Sequence, residues 1–453
     1  MAKDVTLLNF ARENTITYGQ YTLHQRAVPD FRDGLKPVQR RILWSAYKMG
    51  LHYSGPVKKS ARIVGECVGK YHPHGDGAVY QALVNMTKCN EPMMYGEESN
   101  FGDYEDGAAA LRYTETKLTK YSDYYLLDPD YIAVTPMIPN YDGEYKEPVY
   151  LPSKVPNLLV NGSEGIATGC SLLVPSFSLE SVKKLIKRAV ENGCKATPKM
   201  CLKTLKFSFP YGGVVDSPKK IVYSYMKTGF KGLKFRPEYR IEDDRVIIES
   251  IAPRFPVSNK LEKLANMNGV KTVEDRRESG KIRFDVVFNR GFLRGKKREQ
   301  LINRIKSVLE TSLPCQTYVT TRHDDESVSF SSASIPELVN NWLQWRIEFE
   351  KTVLERLISV EEGKKNVQEW TLFAIEHKKE ILKSLESDNP KKYMTEHFKL
   401  SEDCASFIMD LKVRNLARME SRGVKEKIKS HKKKIKELRD GLGKVEERIT
   451  ECI

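Results

Sequence analysis

No stretch of this chain approaches the roughly 18 uncharged apolar residues of a membrane-spanning helix. The N-terminus carries Asp4, Arg12 and Glu13 where a secretory signal would need an apolar run, so a cytoplasmic location is expected. Cysteine is sparse and scattered: eight residues, at 67, 89, 170, 194, 201, 315, 404 and 452, none closer than the seven-residue step from Cys194 to Cys201. Such spacing excludes a zinc ribbon and a dense disulfide framework and predicts reduced, structural thiols. Also missing are a Gly-rich nucleotide-binding signature, an acidic Asp-x-Asp metal cluster in a suitable context, and an internal repeat with a period of about 20 to 50 residues. What is present is globular in composition: 453 residues, 40% hydrophobic and 30% charged, a length that implies roughly two to four domains.

Positive charge is in excess, 75 Lys and Arg against 60 Asp and Glu, for a net +15. It is unevenly placed. Residues 1–75 hold 12 basic and 5 acidic side chains, and residues 411–453 hold 14 and 7. A polyanion suits the first block, because each phosphate neutralised releases condensed counterions. For the second block a solvated helix face accounts for the charge equally well.

Three regions differ in pattern, and together they predict an α+β multidomain protein. From about Thr22 to Tyr150 short helices alternate with Gly and Pro. One opens at Lys36-Pro37, with Val38, Ile42 and Ala46 on one face; a second spans Ser60 to Val68, with Ile63, Val64, Cys67 and Val68 apolar. A third spans Gly77 to Met86, with Val79, Ala82, Leu83 and Met86 facing inward and Asp76 as N-cap. The short connection Gly69-Lys70-Tyr71-His72-Pro73-His74-Gly75 makes the last two a helix-turn-helix unit. From about Leu151 to Ser329 the pattern is mainly extended, with strands at Arg245 to Ile251 and Lys281 to Phe288 and a helix at Leu179 to Val190. From Ile335 onward it is helical. Ile335, Leu338, Trp342, Trp345, Phe349 and Val353 recur every three or four residues, as do Val424, Ile428, His431, Ile435, Leu438, Leu442, Val445 and Ile449, a pattern for an antiparallel coiled coil. Asp388 to Ser406 interrupts it and predicts a small helical head, and Gly441 and Gly443 are expected to end the returning helix.

Three constellations bear on chemistry. Arg26, Arg32, Lys36, Arg40, Arg41, Lys58, Lys59 and Arg62 crowd the helix-turn-helix and suit phosphate contacts, although any Lys/Arg cluster can be a solvated surface. His72-Pro73-His74 could be half of a metal site, but no third ligand stands at a recognised spacing; a turn whose imidazoles and backbone N–H groups meet a phosphate is favoured. Within Glu98 to Glu115, Arg112 adjoins Tyr113. A tyrosine hydroxyl ordinarily ionises near pH 10, so as a nucleophile it needs a neighbouring cation; with 22 tyrosines in the chain, a structural role stands beside that reading.

Asp33-Gly34-Leu35-Lys36-Pro37 with Arg40-Arg41, Lys59-Ser60-Ala61-Arg62, Gly69 through Asp76, Asn100-Phe101-Gly102, Ala109 through Glu115 and Pro156 through Gly169 form a series that resembles the breakage-reunion subunit of type IIA DNA topoisomerases. The nearest likeness is to the A subunits of bacterial gyrase and topoisomerase IV. It is dense from about Arg26 to Gly169 and topological beyond. The resemblance implies that Tyr113 attacks a backbone phosphate to form a 5′-phosphotyrosyl ester, that Arg112 is the transition-state cation, and that Arg26, Lys36, Arg40, Arg41, His72 and His74 line the cleaved strand. Ile166 takes the place of an apolar wedge inserted between base pairs of double-stranded DNA. Residues 1–21 would be an arm contacting a partner, 22–150 a winged-helix domain, 151–330 a tower domain, and 331–453 the coiled coil with a C-gate that forms a homodimer. Mg²⁺ and ATP would both be bound by an ATPase/toprim partner subunit.

The resemblance carries finer expectations. The chain ends soon after the coil, without gyrase's DNA-wrapping β-domain, so relaxation or decatenation is expected rather than supercoiling; a phage enzyme with divided subunits is one origin. Gly77 and Gln81 stand where bacterial members usually have a hydroxyl residue and an acid, which predicts a weak quinolone response. A non-catalytic winged-helix architectural dimer would explain the charge and the helices but not Arg112-Tyr113 in so long a motif. A tyrosine recombinase or relaxase would need a scattered Arg/His pattern or partner-free cleavage.

Overall fold

The computed structural model describes residues 14–15, 18–19, 23–167, 169–278, 281–323, 327–384, 387, 389–411 and 421–453. The arm expected over 1–21 lies almost wholly outside them. The fold is mixed α+β and multidomain. Its described residues form two compact units, one running to Arg346 and including Cys452 and Ile453, the other Ile347–Glu451. No described helix is long and apolar enough to cross a membrane.

In the first unit, Pro37–Lys48 (α1), Ser60–Lys70 (α2) and Asp76–Thr87 (α3) pack against one another. Pro37 stands in the first turn of α1, where no donor is needed, and Gln39 Oε1 accepts the Lys36 N–H at 3.0 Å. Ile42, Leu43, Ile63, Cys67, Val79, Leu83 and Met86 are sealed between the helices, each aliphatic or thioether side chain contributing about 1.5–3 kcal/mol through burial. Ala82, expected to face inward, is only half-buried, and with the half-buried Val38 it lines a cavity. Asp76 begins α3 rather than capping it; its Oδ1 accepts the Gly77 N–H at 2.8 Å, and Gly75 is the N-cap.

Lys58–Lys59 (β1) pairs antiparallel with Glu115–Thr116 (β2), bringing Lys59 opposite Glu115. Met137–Pro139 (β3) and Lys146–Pro148 (β4) form a hairpin. A five-stranded antiparallel sheet has the order Ser163–Ala167 (β5), Cys170–Val174 (β6), Thr311–Gln316 (β13), Phe230–Arg236 (β8), Val214–Val215 (β7). A four-stranded one has the order Val270–Asp275 (β11), Phe284–Phe288 (β12), Arg245–Ile248 (β10), Tyr239–Ile241 (β9). Tyr318–Arg322 (β14) and Val328–Ser332 (β15) form a last hairpin. The strands expected at 245–251 and 281–288 are shorter than their apolar pattern, since Ser250 and Ile251 are buried beyond the end of β10.

The helical and extended regions read from sequence as separate are one unit here, for a physical reason. Asp33 accepts the Leu151 N–H at 2.8 Å, Asn157 Nδ2 donates to Asp33 O at 2.9 Å, and Arg32 Nη2 donates to Arg322 O at 2.7 Å. Gly34 takes φ +65°, and a Cβ there would collide with the Leu158 backbone. Ile335, Val339, Trp342 and Leu343, the first turns of the Ile335–Glu376 helix, are likewise sealed inside.

In the second unit that helix continues and meets Ser421–Leu442 and Val445–Glu451. Ion pairs Lys425–Glu376, Lys432–Glu369, Lys434–Glu361 and Arg448–Glu350 run in opposite numerical order on the two sides, so the helices are antiparallel. Ile428, Ile435, Leu438, Val445 and Ile449 are buried as the spacing predicts; the break falls just past Gly441, and the apolar pattern resumes after it. Lys378–Ser384, Pro390–His397 and Glu402–Asp410 enclose a small core of Ile381, Met394, Cys404 and Ile408.

Glu361 is a buried carboxylate of this unit with several cationic partners. Lys364 (2.8 Å), His431 Nδ1 (2.8 Å) and Lys434 (3.1 Å) surround it. The Lys364 hydrogen bond, with those from His431 and Lys434 and against the opposing effect of burial, pulls its carboxyl from 4.5 down to about 2. Because the folded value is the lower one, its contribution to stability is complete above pH 4.5 and is lost as pH falls through about 2. Glu361→Gln is expected to lower the denaturant midpoint at pH 7 and to flatten the acid limb between pH 4.5 and 2, as followed by circular dichroism; an unchanged limb would refute this assignment.

Candidate active site

Tyr113 lies in a turn fixed at both ends. On one side Tyr80 OH donates to Ala109 O at 2.5 Å and Ala109 N donates to Asn100 O at 2.9 Å. On the other, Thr114 is buried: its Oγ1 meets Ser60 Oγ at 2.8 Å and Tyr80 OH at 3.0 Å, and its carbonyl accepts the Ser60 N–H at 2.9 Å. The start of α2 and the side chain of α3 thus hold the turn, while the Tyr113 side chain itself is 63% exposed. The Arg112 guanidinium stands 4.6 Å from the centre of its ring, and Lys59 Nζ donates to Tyr113 O at 3.4 Å. A phenol so placed is accessible to a large substrate with a cation already beside it.

A cavity of about 570 Å³ opens between α1 and α3, lined by Arg26, Lys36, His72, His74 and Gln81 among others. Lys36 Nζ donates to Glu164 O, and burial lowers its ammonium pKa while the Glu164 carboxylate opposes the shift. His72 is buried. Its Nδ1 lies 3.0 Å from Arg41 Nη1, and Arg41 is held by Glu147 through two bonds of 2.6 and 2.7 Å. A guanidinium can only donate, so Nδ1 accepts and the neutral ring carries its proton on Nε2. Burial first, then the charges of Arg41 and His74, push the imidazole down to about 4. The His74 ring is 4.6 Å away, centre to centre. Four of the residues expected at the cleaved strand therefore share one concave surface. Arg112 and Tyr113 do not line it.

Arg40 requires a correction. It is 8% exposed, with Nε 2.6 Å and Nη2 3.1 Å from the Asp33 carboxylate and a further bond to Leu35 O. Its Nε and Nη2 are thus engaged by the fold itself, and it does not line the cavity between α1 and α3. Arg32 is similar, paired with Asp30 at 2.7 Å and stacked 4.0 Å over the Tyr150 ring. Arg41 is partly buried and bonded to Glu147 and His72. Of the basic cluster read from sequence, Arg26, Lys36, Lys58, Lys59 and Arg62 are the members left with outward or cavity-facing charge. Asp30 and Asp33, two and seven residues from their partners, were the signal that the cluster is partly self-neutralised; Glu147, 106 residues from Arg41, left none.

Ile166 sits near the tip of the β5–β6 hairpin, paired with Ser171, and is 79% exposed. A Cβ on the preceding Gly165 would collide with Ala27 O, so the strand lies flat against the end of the Leu23–Ala27 turn. An apolar side chain so exposed on so tightly seated a strand is unusual for a surface residue and suits contact with a partner. Among the described residues no three His, Cys, Asp or Glu side chains come together as a metal site.

The family model for the DNA gyrase/topoisomerase IV A subunit matches residues 26–453. This chain belongs to that family. It is 30% identical to the A subunit of DNA topoisomerase 4 from Pseudomonas aeruginosa over 98% of its length and 60% of the relative's. It is 31% identical to the DNA gyrase A subunit of Helicobacter pylori, covering 97% and 54%, and 32% identical to the DNA gyrase A subunit of Staphylococcus epidermidis, covering 95% and 49%. The chain thus spans about half to three-fifths of the length of the curated relatives it matches. The likeness does not stop at Gly169, where the dense motifs end; it continues to the last residue.

The His72 assignment can be checked directly. In ¹⁵N-imidazole spectra His72 is expected to be the neutral Nε2–H tautomer at pH 7 and to protonate near pH 4. Its folded value lies below the usual 6.5, so its contribution to stability is present above pH 6.5 and lost as pH falls through about 4. Titration near 6.5 in the folded protein would overturn the reading.

Proposed function

We propose that this chain is the DNA-cleavage subunit of an ATP-dependent type IIA topoisomerase, which breaks both strands of a duplex transiently so that another segment can pass. The observation that carries the proposal is the exposed Tyr113, fixed at both ends of its turn with Arg112 against its ring, in a chain of this family. Tyr113 Oη attacks a backbone phosphorus; the bond from phosphorus to the 3′ oxygen breaks, and the 3′ oxygen leaves with the proton the phenol gives up. The product is a 5′-phosphotyrosyl ester that keeps the phosphodiester's bond energy, so the reverse attack reseals the strand. Arg112 stabilises the phenolate and the charge on the phosphoryl oxygens.

Arg26, Lys36 and His74 contribute positive charge or hydrogen bonds to the phosphates around the break. Neutral His72 donates Nε2–H to a phosphoryl oxygen, with Arg41 and Glu147 fixing the ring. Ile166 enters between base pairs, bending the duplex at a cost of a few kcal/mol per unstacked step. Residues 22–150 act as a winged-helix domain, with β1–β2 as the element beside the helices, 151–330 as the tower, and 331–453 as the coiled coil whose helical head forms the C-gate of a homodimer. Mg²⁺ and ATP are assigned to an ATPase/toprim partner subunit working in the cytoplasm. The metal would neutralise charge at the phosphate being cleaved.

The test mixes the full chain with that partner, Mg²⁺, ATP and supercoiled plasmid, followed by denaturant trapping and peptide mapping of 5′ ends. An adduct on Tyr113 is expected, lost together with relaxation in Tyr113→Phe and reduced about 100-fold in Arg112→Ala, with duplex binding retained in both. Binding without any adduct would favour an architectural role.

A further inference from the structure

The segment that leads into the Tyr113 turn is a closed loop from Asn100 to Ala109. Asn100 O accepts the Ala109 N–H at 2.9 Å, and Asp103 Oδ1 accepts the N–H groups of Glu105 and Asp106 at 2.7 and 2.8 Å. These bonds tie the tip of the loop to Ala109, and so to the residues that follow it. That tip does not stand free. Arg277, two residues past β11, donates from Nη1 to Glu105 Oε2 at 2.9 Å and to Tyr104 OH at 3.3 Å. Ser258, on the Val257–Ala265 helix, donates to the other Glu105 oxygen at 2.8 Å. Arg277 is itself aimed: its Nε lies 2.9 and 2.7 Å from the two oxygens of Asp275, the last residue of β11. Tyr104 also packs edge-on against Tyr211, 5.5 Å between ring centres.

From this geometry we infer that Arg277, steadied by Asp275 and aided by Ser258, is a positioning residue for Tyr113: the edge of the four-stranded sheet, about 170 residues further along the chain, sets the height of the nucleophile's turn through Glu105. The inference rests on Tyr113 being the nucleophile. Both members of the Arg277–Glu105 pair are one-third exposed, a setting in which an ion pair adds little to overall stability. Its consequence is geometric. Attack on phosphorus needs the phenol oxygen in line with the leaving oxygen, and displacement by about 1 Å can cost about 100-fold in rate. A residue that acts this way alters the chemical step and leaves the affinity for duplex alone, since neither Arg277 nor Glu105 lines the cation-rich cavity.

The experiment uses the full chain with its ATPase/toprim partner and Mg²⁺ on saturating duplex, and compares wild type, Arg277→Ala, Glu105→Gln and the double variant. The rate of adduct formation, the dissociation constant for duplex and the melting temperature are measured for each. Expected are unchanged melting, an affinity within about twofold, and adduct formation slowed about tenfold in either single variant, with the double variant no slower than the singles because one clamp has been removed twice. Singles that cleave at the wild-type rate, losses that multiply in the double variant, or a parallel loss of affinity would each overturn the inference. Tyr113→Phe in the same assay keeps the two readings apart. An adduct that survives it sinks the nucleophile assignment, whereas an adduct lost there and unaltered in the clamp variants sinks the clamp alone.

Discussion

The Asp33 carboxyl is fully buried, with burial pushing its pKa up and the Arg40 guanidinium opposing that shift, and much of the first unit is arranged around the pair. The two Asp33 oxygens accept from Arg40 Nε and Nη2, from Leu35 N and from Leu151 N, so the carboxylate is held by α1 and by a segment more than 100 residues away. Gly34, the next residue, lets Leu158 come close, and Asn157 closes on the Asp33 carbonyl. Taking away one partner from such a buried pair costs about 3–5 kcal/mol, comparable with a large part of a domain's net stability. The motif Asp-Gly-Leu-Lys-Pro with its following arginines is therefore a folding device first. It fixes the axis of α1, and through it Lys36 and Arg41.

With that frame set, the cations divide by depth. Arg32 and Arg40 are neutralised inside, and Arg41 is held by Glu147 at the boundary, where its remaining donor dictates the tautomer of His72. Arg26, Lys36, His74 and Arg112 face the cavity or solvent. The inner guanidiniums meet no ligand themselves; they fix the helix whose Arg41 orients the His72 ring, so the outer groups are set before any ligand arrives. Pre-set donors of this sort act on charge that develops in a transition state without having to reorganise. A fully solvated basic patch would attract DNA equally well and would supply no such fixed geometry.

The helices were legible from sequence because their cause is local. The spacings of Ile42, Ile63, Leu83, Ile428 and Ile435 each report one apolar stripe, and all five side chains are buried. The pairing of Glu361 with His431 and Lys434 follows from the same stripes running antiparallel. Strand limits were less legible, since burial beyond β10 extends the apolar pattern past the hydrogen-bonded ladder. Site residues fell into two groups. Tyr113, Arg112 and the two histidines stood out because a long motif resembled a known family, whereas composition and spacing alone left them among many similar residues. Arg40 was misread because a cation's surroundings are tertiary: nothing in a run of basic residues tells which of them will turn inward to an acid.

The same reasoning explains why the parts that hold Tyr113 were invisible before the fold was known. Thr114, Ser60 and Tyr80 are small or common residues whose hydroxyls mean nothing until they meet, and Glu105 is one acid among 60 acidic residues. A nucleophile that must reach a bulky polyanion has to be exposed, and an exposed side chain has few contacts of its own to fix it. Under the role proposed for Tyr113, both demands are met by leaving its side chain open and anchoring the backbone on either side, at Ala109 and at Thr114. Exposure then costs little in precision, because only the two torsions of one aromatic side chain stay free, and Arg112 against the ring restricts those.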